Sequence, residues 1–129
     1  MDDNKTLSDW RLEKAEKCLQ AAKLNFENED YNGAANRSYF CIFHCIRSIL
    51  ALENVDFKKH SGVLAYYRNG YIKTGIFEKK MSDIAGEAFQ IRNDSDYEDF
   101  YIVSKQEITE QIENAEYFFG QVKIYLSEK

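Results

Sequence analysis

The chain has 129 residues, of which 44% are hydrophobic and 30% are charged, and this balance is typical of one folded domain and excludes a disordered chain. Its formal net charge of -5 argues against a protein that coats nucleic acid with its whole surface, although it leaves room for a local basic cleft. It contains no proline and 15% aromatic residues, which favours helices joined by short turns, with rings in the core or on a self-association surface.

The cysteines and the N-terminal residues point to a cytoplasmic protein. Cys18, Cys41 and Cys45 are odd in number, and two of them lie one helical turn apart in an apolar run, so we expect buried, reduced thiols. A metal site would have to add His44 and His60, but the chain has no Cys-x-x-Cys motif and His44 lies on a different helix face, so we expect neither metal nor cofactor. The polar N-terminus does not resemble a signal peptide, and no run approaches the roughly 18 apolar residues of a membrane span.

The first predicted element is a helix that begins at an N-cap, Ser8, after a frayed tail at residues 1–7. It should end within residues 27–30, where Asp30 is placed to cap the next helix. The short connection predicts an antiparallel pair of helices. The apolar residues at helical spacing in this first helix are Trp10, Ala15, Cys18, Leu19, Ala22 and Phe26.

Residues 36–50 form the longest apolar-rich run, and we interpret them as the central helix of the domain, running to about Glu53. Little of this helix is expected to face water, so its polar residues, Asn36, Arg37 and His44, need an explanation. The apolar stripe, in steps of three and four, is made of Tyr39, Ile42, Phe43, Ile46, Ile49 and Leu50, and it is widened by Phe40, Cys41 and Cys45.

Two further helices are predicted after a polar connector at residues 54–59. The third helix should start at residues 60–62 and stop at Gly75, because glycine adopts the left-handed conformation that often ends a helix. The fourth should begin near Phe77 or Glu78 and fade through residues 93–96. Its apolar seam is formed by Met81, Ile84, Ala88 and Ile91.

The C-terminal part contains the one ambiguous segment of the chain. Residues 97–103 are aromatic and β-branched, but no partner strand is visible, so we expect an extended linker packed on the helices. Ser104 and Glu107 have the spacing of a capping box that opens the last helix. The sequence therefore predicts a single all-α domain, an up-and-down antiparallel bundle of about five helices.

Several short motifs, taken in order, resemble the HEPN superfamily. They are the N-R-S-Y-F run at residues 36–40, the K-H-S-G-V run at 59–63, the K-T-G run at 73–75, and Arg92 followed by D-Y-E-D-F at 96–100. The chain is most similar to the small stand-alone HEPN proteins, whose signature is N-R-x-Y-Y followed by R-x-x-x-D-Y-x-D-F. The resemblance covers about residues 10–126.

The resemblance implies a helical domain that forms a homodimer. Active members are metal-independent RNA endonucleases, and two copies of a motif near the end of the fourth helix meet in one composite cleft. Many members are encoded beside a minimal nucleotidyltransferase, and the two proteins behave as toxin and antitoxin. For this chain it implies a homodimer with such a partner and RNA or a nucleotide as ligand. The lack of a long apolar run argues against a membrane partner.

Residue by residue, Arg92 matches the motif arginine and Asn93 matches the polar residue that follows it, but Tyr97 stands where the motif has histidine. Histidine titrates near neutral pH, whereas a tyrosine, with a reference pKa of about 10, is a poor base there. We therefore expect weak nuclease activity or none. The residues expected to bind RNA or a nucleotide are Arg92, Asn36, Arg37 and Asp96.

Each of these residues also has a structural interpretation. Arg92 and Asp96 are four apart and could form an ion pair, or Arg92 could hold an anion such as phosphate in a dimer cleft. Asn36 and Arg37 could form a hydrogen-bond network with the fourth helix, or could contact a substrate together with Arg92. A structural role would also suit His44, as a core or interface histidine, and His60, as a helix-start residue.

Three functions stay open on the sequence alone. The first is a dimeric HEPN protein that acts with a nucleotidyltransferase or RNA, with two Arg92 side chains facing one shared cleft. The second is an active ribonuclease that uses Arg92, Asn93 and either Tyr97 or Asp96 without histidine. The third is a module that binds a nucleotide or a small anion.

Overall fold

The computed structural model describes residues 3–129, and this part of the chain is helical without any strand. The all-α bundle predicted from the sequence is therefore confirmed. The helices are α1 (Asp3–Glu27), α2 (Tyr31–Leu52), α3 (His60–Tyr67), which continues into a π-helical turn (Arg68–Ile72), α4 (Lys79–Tyr97) and α5 (Lys105–Ser127).

The central position of α2 is confirmed, because it packs against α1, α3, α4 and α5. Its N-cap is Asp30, as predicted, and the carboxylate accepts a hydrogen bond from the Gly33 N–H at 3.0 Å. All of the predicted stripe is buried, including Tyr39 and Ile46, which are at most 1% exposed. A helix this apolar gains its stability from the surface it removes from water, so it fixes the positions of the other four.

The predicted start of the first helix is wrong. The helix already includes residues 3–7, and Ser8 is buried inside it at 2% exposure; residues 1 and 2 lie outside the described part of the chain. The stripe of α1 continues through two polar residues, Ser8 and Arg11, one turn apart, which apolar periodicity does not detect. Trp10 lies off this stripe and is 61% exposed, so its predicted place in the apolar face is also wrong.

The third predicted helix is confirmed at its start but not throughout its length. It begins at His60, and from Arg68 the turn widens to the π form, which allows Tyr67 and Tyr71 to stack in the core with ring centroids 5.9 Å apart. Gly75 has φ = +82°, as expected for a helix-ending glycine. The fourth helix runs slightly beyond its predicted fading region, to Tyr97.

The segment after α4 is a linker, as predicted, and one side chain of α2 fixes it. The Asn32 amide donates to the Tyr101 carbonyl at 3.0 Å and accepts from the Val103 N–H at 2.9 Å, while the Val103 side chain is fully buried. The capping box of Ser104 and Glu107 is present. Residues 3–129 contain no helix long and apolar enough to cross a membrane.

Candidate functional site

Predicted site residues of α2 and α4 are linked by a series of hydrogen bonds and one ion pair. The Asn36 side-chain oxygen accepts from Arg37 Nη2 at 2.7 Å and from Nε at 3.0 Å. The Asn36 amide nitrogen donates to Asp96 Oδ2 at 3.4 Å, and the same carboxylate oxygen lies 2.9 Å from Arg92 Nε. Both structural interpretations of the sequence, the Arg92–Asp96 ion pair and the link from Asn36 to the fourth helix, are thus present.

The Arg92 side chain packs against aromatic rings, while part of its guanidinium has no partner within residues 3–129. The ring centroids of Tyr39, Phe40 and Tyr97 lie 5.4, 5.3 and 5.9 Å from its central carbon. The contact of Nε with Asp96 is an ion pair that lacks hydrogen-bond geometry, and the two Nη atoms make no hydrogen bond within residues 3–129. With 18% of the side chain exposed, the guanidinium can present its fork to an anion from solvent.

His60, at the start of α3, lies against the same rings. Its Nδ1 is 2.6 Å from the Tyr39 hydroxyl, and the imidazole stacks on Phe43 with centroids 4.0 Å apart. Burial, and then the charges of Arg92 and Arg47, lower the pKa of His60 below its ordinary value of 6.5. The sequence suggested His60 as a helix-start residue, with a minor anion-binding patch beside Lys58 and Lys59 as the alternative. Nothing in the spacing of residues 60 and 92 shows that both contact the rings of Tyr39 and Phe40.

His44 marks the centre of a cationic surface on α1 and α2. Its Nδ1 is buried without a hydrogen-bond partner in the described chain. Burial, followed by four neighbouring cations, lowers the pKa of His44 to about 4. These four cations and Arg92 define what we call the basic face: Arg11, Lys14, Arg37, Arg47 and Arg92.

The basic face keeps an excess of positive charge although the whole chain is acidic. Asp56 accepts from Arg47 Nη2 at 2.7 Å and from Arg11 Nη2 at 3.2 Å. Burial alone would raise the pKa of Asp56, but hydrogen bonds from Arg47 and from the following N–H, together with the two positive charges, lower it. Lys14 and Arg37 have no ion pair within residues 3–129. The Arg37 guanidinium donates to the neutral Asn36 and Cys18 side chains, so no carboxylate there balances its charge.

A helical spacing in the sequence could have revealed part of this face. Arg37, Phe40, His44 and Arg47 recur at steps of three and four, which places them on one side of α2. The Arg37 guanidinium lies 5.1 Å from the Phe40 ring centroid, and the Phe40 and His44 rings are 5.9 Å apart. Arg47 was overlooked because a single arginine at the end of an apolar run resembles an ordinary solvated residue.

Not every predicted residue joins the site. Asn93 is exposed on α4, and its side chain makes no hydrogen bond within residues 3–129. Tyr97 is 70% exposed and contacts the site through its ring above Arg92. Beyond it the linker presents Phe100 at 99% and Ile102 at 78% exposure, and Phe100 has φ = +67°, a conformation that costs a non-glycine residue energy.

The described residues offer no alternative metal centre. Residues 3–129 contain no group of three or more His, Cys, Asp or Glu side chains arranged to hold a metal ion. Cys18, Cys41 and Cys45 are buried and unpaired, as expected for structural thiols. Burial raises the pKa of Cys18 and Cys45, which keeps both protonated and unreactive.

Comparison with known proteins identifies the family. The chain is 31% identical over 118 residues, covering 92% of it and 80% of the relative, to "Putative toxin MJ0142" of Methanocaldococcus jannaschii. It is 32% identical over 117 residues, covering 91% and 87%, to "Putative toxin MJ0605" of the same organism. It is 30% identical over 122 residues, covering 95% and 92%, to a "UPF0332 protein" of Thermotoga maritima. A model of the HEPN domain matches residues 8–125, and the chain therefore belongs to the HEPN domain family.

Proposed function

We propose that this protein is the toxin of a toxin–antitoxin pair and that it binds RNA as a homodimer, in a cleft lined by the basic face of each copy. The observation that carries the proposal is the Arg92 guanidinium, which three rings hold in place while its two Nη atoms stay free of partners within residues 3–129. A planar fork of this kind is suited to a phosphate group.

The surroundings of Arg92 support single-stranded RNA as the ligand. Lys14 and Arg37 lack ion pairs in the described chain, and such cations attract a phosphate backbone even when the whole chain is acidic. Tyr97 is 70% exposed next to Arg92, where a base can stack on its ring. We therefore propose stacking, and not proton transfer, as the role of Tyr97.

We propose the dimer because the part of the basic face that lies on α2 is partly exposed to solvent. Arg37, Phe40, His44 and Arg47 share one side of α2 and are only partly buried, whereas the residues between them are in the core. A second copy placed on this face would bring the two Arg92 side chains toward one cleft and would cover the Phe40 rings. Each protomer would then supply half of the phosphate contacts.

A partner protein is proposed for the exposed segment after α4. The segment combines the apolar side chains of Phe100 and Ile102 with the carboxylates of Glu98 and Asp99. Such a surface suits an apolar groove with a basic rim, and a minimal nucleotidyltransferase acting as antitoxin is the proposed owner of that groove. Growth arrest on expression of the chain, relieved by co-expression of such an antitoxin, is the expected behaviour of the pair.

RNA binding is tested by fluorescence anisotropy with labelled single-stranded RNA. We expect Arg92→Ala to weaken binding about tenfold or more, because a charge-assisted contact contributes roughly 1.5–3 kcal/mol. The matched control is Lys73→Ala, which removes a cation from the turn after the π-helical segment, outside the basic face. Equal binding by wild type and Arg92→Ala, or no binding by the wild type, would contradict the proposal.

A further inference from the structure

We infer that His60 is the general base of an RNA cleavage reaction at this site, supplied from α3 in place of the histidine that the α4 motif lacks. The inference rests on the proposed function, since it needs RNA to bind at Arg92. It goes beyond that function because RNA binding alone requires no base. It also assigns a catalytic role to a histidine that lies outside the α4 motif, in the K-H-S-G-V run at residues 59–63.

The first observation is that His60 is oriented by the fold. One ring nitrogen, Nδ1, is engaged by the Tyr39 hydroxyl at 2.6 Å, and the ring is stacked on Phe43 at 4.0 Å. The opposite nitrogen, Nε2, makes no hydrogen bond within residues 3–129 and is not fully buried, so it keeps some access to solvent. A general base needs this arrangement, with one nitrogen fixed and the other free for the substrate.

The second observation is that His60 and Arg92 flank the same pair of rings. Tyr39 lies 5.8 Å from the His60 ring and 5.4 Å from the Arg92 central carbon, and Phe40 lies 5.9 and 5.3 Å from them. The two functional groups therefore contact the same pair of rings, and the charge of Arg92 acts on His60. On this proposal, a phosphate bound at Arg92 places its neighbouring ribose beside His60.

The third observation concerns the protonation of His60. The charged or titratable groups that face it are Arg92 from α4 and Arg47 and Tyr39 from α2. Burial and the two guanidinium groups lower the pKa of His60, so the ring is neutral at pH 7 and able to accept a proton. The Tyr39 hydroxyl can donate to Nδ1 or accept from it, and it therefore stays bonded to both protonation states.

The proposed step needs no metal and no oxidant. His60 Nε2 takes the proton of a ribose 2′-hydroxyl, and the 2′-oxygen forms a bond to the adjacent phosphorus. The bond from phosphorus to the 5′-oxygen breaks, and that oxygen takes a proton from water while His60 later returns its own proton to water. The products are a 2′,3′-cyclic phosphate and a 5′-hydroxyl end. Arg92 would stabilise the charge that develops on the phosphate oxygens.

The experiment compares cleavage and binding by the same protein preparations. Cleavage is followed with labelled single-stranded RNA, and binding with a 2′-deoxy analogue that lacks the attacking hydroxyl. We expect His60→Gln to reduce the cleavage rate about 100-fold or more, as is typical for loss of an acid–base group, and to leave binding of the analogue unchanged. We expect Arg92→Ala to reduce both.

Each outcome separates this inference from the proposed function. If the wild type binds RNA but does not cleave it, or if His60→Gln cleaves at the wild-type rate, the inference about His60 is wrong and RNA binding stands. If the wild type does not bind RNA, the proposed function fails first. Cleavage of the 2′-deoxy analogue would also refute the inference, because the 2′-hydroxyl is then not the nucleophile.

A second variant keeps the test decisive if His60→Gln does not fold. Tyr39→Phe keeps the ring but removes the hydroxyl that positions His60. We therefore expect the cleavage rate to fall by less than in His60→Gln, and the acidic limb of the pH–rate profile to shift. The matched control is Tyr66→Phe on α3, which removes a hydroxyl that donates to Glu53 at 2.8 Å. This variant should change neither the cleavage rate nor the pH–rate profile. An unshifted profile in Tyr39→Phe would contradict the role of His60 as base.

Discussion

The two histidines of this chain lie near the same cations but have opposite hydrogen-bonding environments. Nδ1 of His44 is buried without a partner in the described chain, whereas the same nitrogen of His60 has the Tyr39 hydroxyl. A buried, unpartnered nitrogen surrounded by positive charge cannot be protonated cheaply, so His44 stays neutral and structural. The Tyr39 hydroxyl therefore distinguishes the two rings: it gives His60 a partner for Nδ1, which His44 lacks within the described chain.

His44 should make the folded state sensitive to acid. The pKa of His44 is about 4 in the folded protein, below the value of about 6.5 in an unfolded chain, so unfolded chains bind the proton more readily as the pH falls below 6.5. We expect His44 to cost about 1 kcal/mol of stability at pH 5, a value reduced for partial solvation of the ring. The measurement is urea unfolding of wild type and His44→Gln between about pH 7.5 and about pH 5.

The His44→Gln variant should lose less stability than the wild type over this range. The contribution of His60, whose pKa is also lowered, is present in both proteins and cancels in the comparison. Parallel stability curves for the two proteins would mean that the surroundings of His44 accept its charge.

Two glycines in and beside the helices differ in whether the backbone needs glycine at that position. Gly120 lies inside α5, where a methyl group in place of its hydrogen would meet no atom within 4 Å. Gly75 ends the segment after α3 with φ = +82°, a conformation that other residues adopt at a cost. The first glycine only adds entropy to the unfolded chain, whereas the second is required by the turn.

Replacing each glycine by alanine should therefore change stability in opposite directions. We expect Gly120→Ala to stabilise the fold by about 0.5–1 kcal/mol, because alanine favours the helix, and Gly75→Ala to destabilise it by about 1 kcal/mol. Thermal unfolding by circular dichroism measures both. Destabilisation by Gly120→Ala would indicate that this part of α5 is covered by another chain in solution.

The helices could be predicted from the sequence wherever apolar residues follow the 3.6-residue period, as in α2 and α5. Prediction failed at the start of α1, where Ser8 and Arg11 continue the buried stripe with polar side chains. Arg11 is accommodated there because it donates to the Arg47 carbonyl at 3.1 Å and to Asp56 at 3.2 Å. Those partners are distant in sequence, so periodicity alone could not reveal them.

At the scale of the whole molecule, the candidate site was predictable only where its residues are neighbours in a motif. Arg92 and Asp96 are one helical turn apart, and Asn36, a polar residue at the start of an apolar helix in the N-R-S-Y-F motif, was expected to bond to the fourth helix. The contact of both His60 and Arg92 with Tyr39 depends on how α2, α3 and α4 pack. A helical bundle creates such contacts in three dimensions, and one sequence carries no local signal of them.

The positive charge of the basic face should oppose the association of two copies through it. If two copies meet through it, Lys14, Arg37 and Arg92 of one copy approach the same residues of the other, and like charges repel. Anions between the copies would remove this repulsion, so RNA binding and dimerisation would strengthen each other. An interface held by ion pairs would behave in the opposite way, since salt weakens it.

We therefore expect the dimer to become tighter as salt increases from about 0.05 to about 0.5 M, where the Debye length falls to a few ångströms. Analytical ultracentrifugation at several protein concentrations measures the dissociation constant, and a short RNA should tighten the dimer at low salt as well.

In Arg37→Gln the dependence of the dissociation constant on salt should be smaller, because one repelling charge per copy is removed while Asn36 can still bond to Asp96. A dimer that weakens with salt would instead indicate that carboxylates of the partner copy, such as those of Glu98 and Asp99, balance the basic face. A protein that stays monomeric at every salt concentration and with RNA would refute the shared cleft.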